Sequence, residues 1–250
     1  MSVKGRVAIV TDAGGGLGRE YALALAAAGA RVVINDYGGT LDGKAGEISR
    51  AQSVVNEIKQ SGGIAIADGH DVSIKSAAIE IVAATVKEFG TVDILVNNAG
   101  ISGKPSSHDD IDPEAFLRVL EIAVVGSALM TSACYPVMQK QKHGRVINIS
   151  SDGIYGFGAG GDCAYSASKG ATFALTRDIG RYSDRHGILI NCIMPSGWSR
   201  MADLAESTKN VTRTYFDPAK ISPFVVALAS DECPVSGEVF ACGAGRAARH

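Results

Sequence analysis

The sequence has few residues of the kinds that mark a disulfide framework or a metal site. Its five cysteines are an odd number, and no two of them stand in a CxxC spacing. The five histidines form no HxxxH pair. We therefore expect reduced cysteines in a packed core, and neither a disulfide scaffold nor a bound metal.

An excess of charge of one sign is also absent. Lys and Arg number 24, Asp and Glu number 26, and the formal net charge is −2. The chain thus has no basic field for nucleic acid or for an anionic membrane surface. No apolar run approaches the roughly 20 residues of a membrane span, and the apolar segment near the N-terminus is too short for a signal peptide. These absences predict a cytoplasmic protein that binds neither nucleic acid nor membrane.

Apolar residues, in contrast, are plentiful, at 46% of 250 residues, enough for one well-packed domain over 1–250. Short β-branched apolar runs alternate with helical stretches of roughly 10 to 20 residues. This alternation predicts an α/β fold, a Rossmann-type doubly wound parallel sheet of seven strands with helices on both faces. The predicted strands are Arg6–Thr11, Arg31–Asn35, Ile64–Ala67, Asp93–Val96, Arg145–Ser150, Ile188–Ile193 and Val239–Ala241. The predicted helices include Gly18–Ala28, Ser53–Gln60, Ser76–Phe89, a long one opening at Asp112-Pro113-Glu114, and Tyr165–Arg185.

Two long loops interrupt this pattern, at 37–46 after the second strand and at 196–219 after the sixth. Long loops at the carboxyl ends of parallel strands are where α/β proteins bind ligands. We assign residues 196–219 as a substrate lid. Trp198, the only tryptophan, either covers a ligand there or packs the lid itself.

A glycine-rich stretch, VTDAGGGLG from Val10 to Gly18, joins the first strand to the first helix. Its glycines let the backbone approach a pyrophosphate, whose charge the helix N-terminus then meets. Such a turn is a weak signal alone, and its position between strand and helix strengthens it. Asp12 stands where the first glycine of a phosphate turn is expected.

Asp36, at the end of the second predicted strand, supports a nucleotide site. A carboxylate there can accept hydrogen bonds from both ribose hydroxyls of NAD, and its charge repels the 2′-phosphate of NADP. The alternative is an ordinary solvated aspartate at a strand end.

Five motifs now stand in order along the chain, and together they resemble the short-chain dehydrogenase/reductase family. The turn follows the Thr-Gly-x-x-x-Gly-x-Gly pattern, apart from Asp12. The others are Asp71-Val72, Asn97-Asn98-Ala99-Gly100, Ser151 with Tyr165-x-x-x-Lys169, and Pro195-Ser196-Gly197. The resemblance implies NAD as cofactor, bound by Asp12, Gly16, Leu17, Gly18, Asp36, Asp71, Val72, Asn98, Ala99, Gly100, Tyr165, Lys169, Pro195 and Ser199.

Some stretches resemble one branch of this family, the (3R)-hydroxyacyl-CoA dehydrogenase parts of peroxisomal multifunctional enzymes of type 2. They are REYALALAAAGARVVINDYGG, GIYG, SRM and GAG. The resemblance implies NAD-dependent oxidation of a 3-hydroxyacyl-CoA to its 3-keto form, with steroid-derived substrates in the same range. It also implies a homodimer or homotetramer.

The resemblance assigns the chemistry to Ser151, Tyr165 and Lys169. Tyr165 is the candidate base, and Lys169, four residues on, shares its helix face and can lower its pKa. Ser151 would hold the substrate oxygen, with Ser150 as the competitor for that role. The alternative is that Tyr-x-x-x-Lys occurs by chance on a surface helix.

Two departures from the family pattern stand against this interpretation. Ala123 occupies the place of an asparagine that many members use beside the lysine, and Asp12 replaces a glycine. They support a second hypothesis, a protein of the same fold that binds nucleotide weakly and acts as a non-catalytic partner subunit. Cys163, near Tyr165, has no visible base and is expected to be a packing residue. Tyr155 either lines the substrate pocket or fills the core.

Overall fold

A computed structural model describes residues 2–39, 49–103, 109–156, 163–197 and 214–250. Within them, one sheet of eight strands has the order β3-β2-β1-β4-β5-β6-β7-β8. Pairing from β3 through to β7 is parallel throughout, which confirms the predicted doubly wound parallel sheet. The strands are β1 Val7–Thr11, β2 Arg31–Asn35, β3 Ile64–Asp68, β4 Ile94–Asn97, β5 Gly144–Ile149, β6 Ile188–Ser196, β7 Val239–Gly243 and β8 Arg246–Arg249.

The predicted count of seven strands is wrong by one, because β8 pairs antiparallel with β7 at the edge of the sheet. Ala244 and Gly245 join the two strands, with φ of 49° and 78°. Two successive positive φ angles are typical of a tight hairpin turn. The sequence hides this hairpin because Ala-Gly is a weaker turn signal than Asn-Gly. The four residues of β8 are also all exposed and show no alternation of apolar and polar side chains.

Helices cover both faces of the sheet, as predicted. Buried side chains of α1, α2 and α7 pack on one face, and those of α3 and α5 pack on the other, where α6 joins them. Within the described residues, three single turns of 3₁₀-helix lie at Asp152–Tyr155, Asp184–His186 and Pro218–Lys220. The helices are α1 Gly16–Ala27, α2 Ser49–Gln60, α3 Lys75–Phe89, α4 Pro113–Leu120, α5 Gly126–Gln141, α6 Cys163–Ser183 and α7 Ser222–Ala229.

The predicted long helix is continuous over Pro113–Gln141 but not uniform. Asp112 caps it by accepting hydrogen bonds from the backbone N–H groups of Glu114 (3.0 Å) and Ala115 (3.2 Å). A π-helical turn at Glu121–Val125 separates α4 from α5. By length and composition alone, this stretch is able to cross a membrane. The prediction that no apolar run approaches the length of a membrane span is therefore wrong for it. It packs here against α3 and α6, and a core helix passes the same test, so the finding is weak evidence for a membrane span.

The strand order reverses at β1, whose neighbours are β2 and β4. The chain therefore leaves the carboxyl ends of neighbouring strands in opposite directions at this point, and a crevice opens between the connections. Ligands bind in such crevices. Of the two long loops, residues 40–48 and 198–213 lie outside the described residues. The predicted roles of Trp198 and Ser199, and most of the predicted lid, therefore stay predictions.

Candidate active site

The glycine turn between β1 and α1 is closely packed where it meets the rest of the crevice. A Cβ on Gly18 would lie 2.4 Å from the Asp12 carbonyl oxygen and 2.6 Å from Asn98 Nδ2. A Cβ on Gly14 would lie 2.4 Å from the Asp36 carboxylate. Gly15 is the N-cap of α1 and offers no side chain to the first N–H groups of the helix. These donors are thus suited to an anion such as a pyrophosphate.

Asp36 is fixed at the floor of the crevice. It is 2% exposed, and its two carboxylate oxygens accept hydrogen bonds from Gly14 N–H (2.8 Å) and Gly38 N–H (2.6 Å). Each oxygen keeps a second lone pair for a ligand hydroxyl. The alternative of a solvated strand-end aspartate is therefore wrong.

Asp71 belongs to a network that sequence reasoning found only in part. One carboxylate oxygen accepts hydrogen bonds from the backbone N–H and the hydroxyl of Ser73, at 2.9 and 2.6 Å. The other forms an ion pair with Arg118 of α4, at 2.8 Å. Burial raises the pKa of Asp71, but the bonds from Ser73 and Arg118 outweigh it and hold that pKa below its usual value. Nothing in the sequence marked Arg118, which lies 47 residues from Asp71.

The Asn97–Gly100 segment ties β4 to β1. Asn98 Nδ2 donates to the carbonyl oxygens of Thr11 (3.0 Å) and Asp12 (3.1 Å). The backbone N–H groups of Asn98 and Ala99 both donate to the Thr11 hydroxyl, each at 3.0 Å. These bonds hold the glycine turn against the end of β4.

One cleft at the strand-order reversal brings many of the predicted cofactor residues together. Arg118, His70 and Ile122 also line it. Leu17 lies outside that lining, against Gly197, where a Cβ on the glycine would come within 2.9 Å of Leu17 Cδ2. The predicted cofactor residues in the lining are Asp12, Asp36, Asp71, Val72, Ala99 and Gly100.

Ser151 and Ser150 follow β5 and have different environments. The Ser150 hydroxyl donates to the Lys169 carbonyl oxygen at 2.8 Å and is therefore engaged with α6. The Ser151 hydroxyl donates to Asp152 at 3.2 Å and accepts from Gly153 N–H at 3.0 Å at the start of a short 3₁₀ turn. The bond that the Ser151 hydroxyl donates is the longer of the two donated bonds, which favours Ser151 as the substrate-holding group.

Lys169 lies beneath the ring of Tyr165, with Nζ 5.5 Å from the ring centroid. Its ammonium donates to the Ile149 carbonyl oxygen at 2.8 Å, and a Cβ on Gly100 would lie 3.3 Å from it. Burial lowers the pKa of Lys169 to about 8, against the opposing effects of Cys192 and the Asp12 carboxylate. Lys169 is therefore mostly charged at neutral pH and able to lower the pKa of the phenol.

Ala123 lies in the π-helical turn, 2% exposed. Its carbonyl oxygen accepts a hydrogen bond from the Ser127 hydroxyl at 2.6 Å. The alanine therefore lacks the asparagine side chain, and its carbonyl oxygen is engaged by the Ser127 hydroxyl.

The environments of Tyr155 and of the cysteines test two further predictions from the sequence. Tyr155 is 65% exposed and therefore does not fill the core; its hydroxyl is 3.1 Å from His250 Nδ1. All five cysteines are free, and four of them are buried, Cys163 being partly exposed. In the part of the chain that the structure describes, no group of three or more His, Cys, Asp or Glu residues is arranged to hold a metal ion.

Comparison with known sequences gives the family of this fold and site. The sequence profile of the short chain dehydrogenase family matches residues 6–210. The chain belongs to the short-chain dehydrogenase family. It is thus an oxidoreductase of a family that uses NAD or NADP.

Three members similar to this chain place it more closely within the family. Peroxisomal hydratase-dehydrogenase-epimerase from Saccharomyces cerevisiae is 39% identical over 249 residues, covering 98% of this chain and 27% of that protein. Full-length peroxisomal multifunctional enzyme type 2 from Drosophila melanogaster superposes with a TM-score of 0.77 at 30% identity, covering all of this chain and 40% of that one. A short chain dehydrogenase from Mycobacterium avium superposes with a TM-score of 0.84 at 36% identity, and 86% of it is covered.

This short-chain dehydrogenase thus spans 27% and 40% of the lengths of its two multifunctional relatives. The resemblance stated from the motifs is confirmed. The prediction of a cytoplasmic location stays a prediction, since the names of these two relatives place them in peroxisomes.

Proposed function

We propose that this short-chain dehydrogenase oxidises a 3-hydroxyacyl-CoA, fatty or steroid-derived, to its 3-keto form with NAD. The observation that supports this most is the position of the Lys169 ammonium, 5.5 Å from the Tyr165 ring centroid and against Gly100 of the cleft that the buried Asp36 also lines. The thioester class rests on the likeness to the dehydrogenase part of the peroxisomal enzymes.

The residues of the crevice fit a nicotinamide dinucleotide. Gly14 and Gly18 let the turn pack closely in the crevice, and a Cβ on Gly15 would meet nothing within 4 Å. The N-terminus of α1 offers backbone donors for the pyrophosphate. Asp36 would accept the ribose hydroxyls, and Asp71 with Val72 would contact the adenine. When bound, NAD supplies the acceptor for the hydride.

Proton transfer falls to this chain's own residues. Tyr165 takes the hydroxyl proton of the substrate as its phenolate, which the Lys169 ammonium beneath its ring stabilises. The Ser151 hydroxyl donates to the substrate oxygen and orients it. The Lys169 ammonium is held by the Ile149 carbonyl, so its position relative to the phenol is fixed.

Steady-state turnover tests this proposal. The purified protein is mixed with NAD or with NADP and a series of (3R)- and (3S)-hydroxyacyl-CoAs and hydroxysteroids. We expect reduced cofactor with NAD and a 3-hydroxyacyl-CoA. Turnover with hydroxysteroids alone would replace the acyl-CoA assignment, and weak NADH binding without any turnover would favour the partner-subunit hypothesis.

A further inference from the structure

The eighth strand presents two exposed arginines at the edge of the sheet, and the proposed mechanism uses neither. Arg246 begins β8 and Arg249 ends it, and both are exposed. Within the described residues, neither makes a hydrogen bond or an ion pair through its side chain. Because β8 runs antiparallel to β7, Arg246 lies at the same end of the sheet as the carboxyl ends of the parallel strands.

Strand alternation places the two arginines on opposite faces. Arg249 is paired with Phe240, which packs against Phe224 of α7 at 5.1 Å between ring centroids. Arg246 and Ala248 therefore point to the other face, together with Ala241, which packs with Ile154 and Phe173. That face also carries Tyr155 against His250. It is the face of α6, which bears Tyr165 and Lys169.

The distance from the catalytic serine to Arg246 suits a long, charged substrate. The strands β5, β6, β7 and β8 are consecutive in the sheet, so about three strand spacings, on the order of 14 Å, separate the carboxyl end of β5 from the start of β8. Ser151 follows β5 directly. The pantetheine arm of coenzyme A is comparable in length to about four extended residues, also on the order of 14 Å.

We infer that Arg246 binds the diphosphate of the coenzyme A thioester, while the acyl group reaches Ser151 and Tyr165. This inference rests on the proposed function, since it names the part of the site that holds the coenzyme. A guanidinium is suited to this ligand because its donors match phosphate oxygens in pairs and it stays charged. Tyr155 is exposed on the same face, with its hydroxyl 3.1 Å from His250 Nδ1, beyond the end of β8 that Arg249 occupies.

The competing role for an arginine on an edge strand is to prevent edge-to-edge association of two sheets. Both arginines would then serve equally, since both stand on the same exposed strand. Binding of coenzyme A, in contrast, requires the face on which Arg246 lies. Arg249→Ala is therefore the matched control for Arg246→Ala.

The experiment compares two thioesters of one 3-hydroxyacyl group, on coenzyme A and on N-acetylcysteamine, which lacks the phosphates. We expect Arg246→Ala to raise KM for the coenzyme A thioester about tenfold and to leave kcat/KM for the short thioester within about twofold. Arg246→Lys should recover part of the loss, and Arg249→Ala should resemble the parent with both substrates. Light scattering on all variants reports their oligomeric state.

The outcomes separate the inference from the proposed function. Turnover of neither thioester by the parent would contradict the proposed function itself. Turnover of both, with the same ratio of kcat/KM values in parent and Arg246→Ala, would overturn the role of Arg246 alone. Equal losses of kcat/KM for the coenzyme A thioester in Arg246→Ala and Arg249→Ala, together with larger assemblies, would also overturn it. Both arginines would then serve to prevent edge-to-edge association of sheets.

Discussion

At the scale of single residues, Asp12 is the largest departure from a phosphate-binding turn. Its φ of 51° is in the left-handed region, which aspartate adopts more readily than most residues, so the turn forms without a glycine. Its carboxylate lines the cofactor cleft. A carboxylate about 6 Å from a pyrophosphate costs roughly 1–3 kcal/mol per charge pair.

We therefore expect Asp12→Gly to bind NADH about tenfold more tightly than the parent, with a weaker dependence on salt. Calorimetric titration of both proteins at low and at moderate salt measures this. Equal affinities would mean that the carboxylate does not face the phosphates. Binding that appears only in the glycine variant would support the partner-subunit hypothesis.

The same substitution changes the pH dependence. Lys169 is charged below its pKa of about 8, and the Asp12 carboxylate favours the charged form. Without the Asp12 carboxylate the pKa of Lys169 falls. As the pH rises, the ammonium that supports the Tyr165 phenolate therefore loses its proton earlier than in the parent. We expect the alkaline limb of the kcat/KM profile to move to lower pH in Asp12→Gly. An unchanged limb would show that Lys169 does not set it.

Asp36 determines the choice between NAD and NADP in this account. Asp36→Ala removes the acceptor of the ribose hydroxyls and the charge that repels a 2′-phosphate. NAD should bind more weakly and NADP gain relative to it, measured as the ratio of kcat/KM values for the two cofactors. A parent that already prefers NADP would contradict this role.

The Tyr165 hydroxyl is the proposed proton acceptor, and Tyr165→Phe removes it alone. We expect kcat to fall by about three orders of magnitude or more while the affinity for NADH stays within about twofold. Ser150→Ala is a matched control, since that serine bonds the backbone of α6 instead of facing the substrate. Turnover of Tyr165→Phe within a few-fold of the parent would exclude the phenol as base.

At the scale of elements, Arg118 connects α4 to the end of the cleft that we propose for the adenine. Its guanidinium donates to Asp71 at 2.8 Å and to the Ser73 hydroxyl at 2.9 Å. Arg118→Met should raise the pKa of Asp71 and weaken NADH binding by about three- to tenfold with little change in kcat. Arg177→Met, which removes an arginine paired with Glu238 away from the cleft, is the control. Equal effects of the two variants would contradict a specific role.

The elements differ in how well their sequences predict them. Strands β1 to β7 are apolar runs, most of them buried, and the sequence pattern identified each of them, with ends displaced by at most three residues. Strand β8 and the π-helical turn at Glu121–Val125 have no such pattern. Strand β8 pairs with β7, and the π-helical turn interrupts a helix without a proline or a glycine inside it.

The same division holds for the candidate site. Asp36 was found because it follows a short strand, whose carboxyl end meets those of its neighbours in a doubly wound sheet. Asp71 was found through the Asp-Val motif of the family. Arg118 was missed because its partner is distant in the chain and its helix approaches the cleft only in the folded protein.

At the scale of the whole molecule, the sheet order creates a crevice, and residues of three of the family's five motifs line it from segments far apart in sequence. Single-domain organisation, the lid and the homodimer or homotetramer stay predictions. They rest on the family likeness and on segments outside the described residues.

The central claim is that this crevice moves hydride from C3 of a hydroxyacyl thioester to NAD. The most direct measurement uses a 3-hydroxyacyl-CoA deuterated at C3, with mass spectrometry of both products after a single turnover. The account predicts deuterated NADH and an unlabelled 3-ketoacyl-CoA in equal amounts. An unlabelled cofactor, or label found only in NADPH, would contradict it.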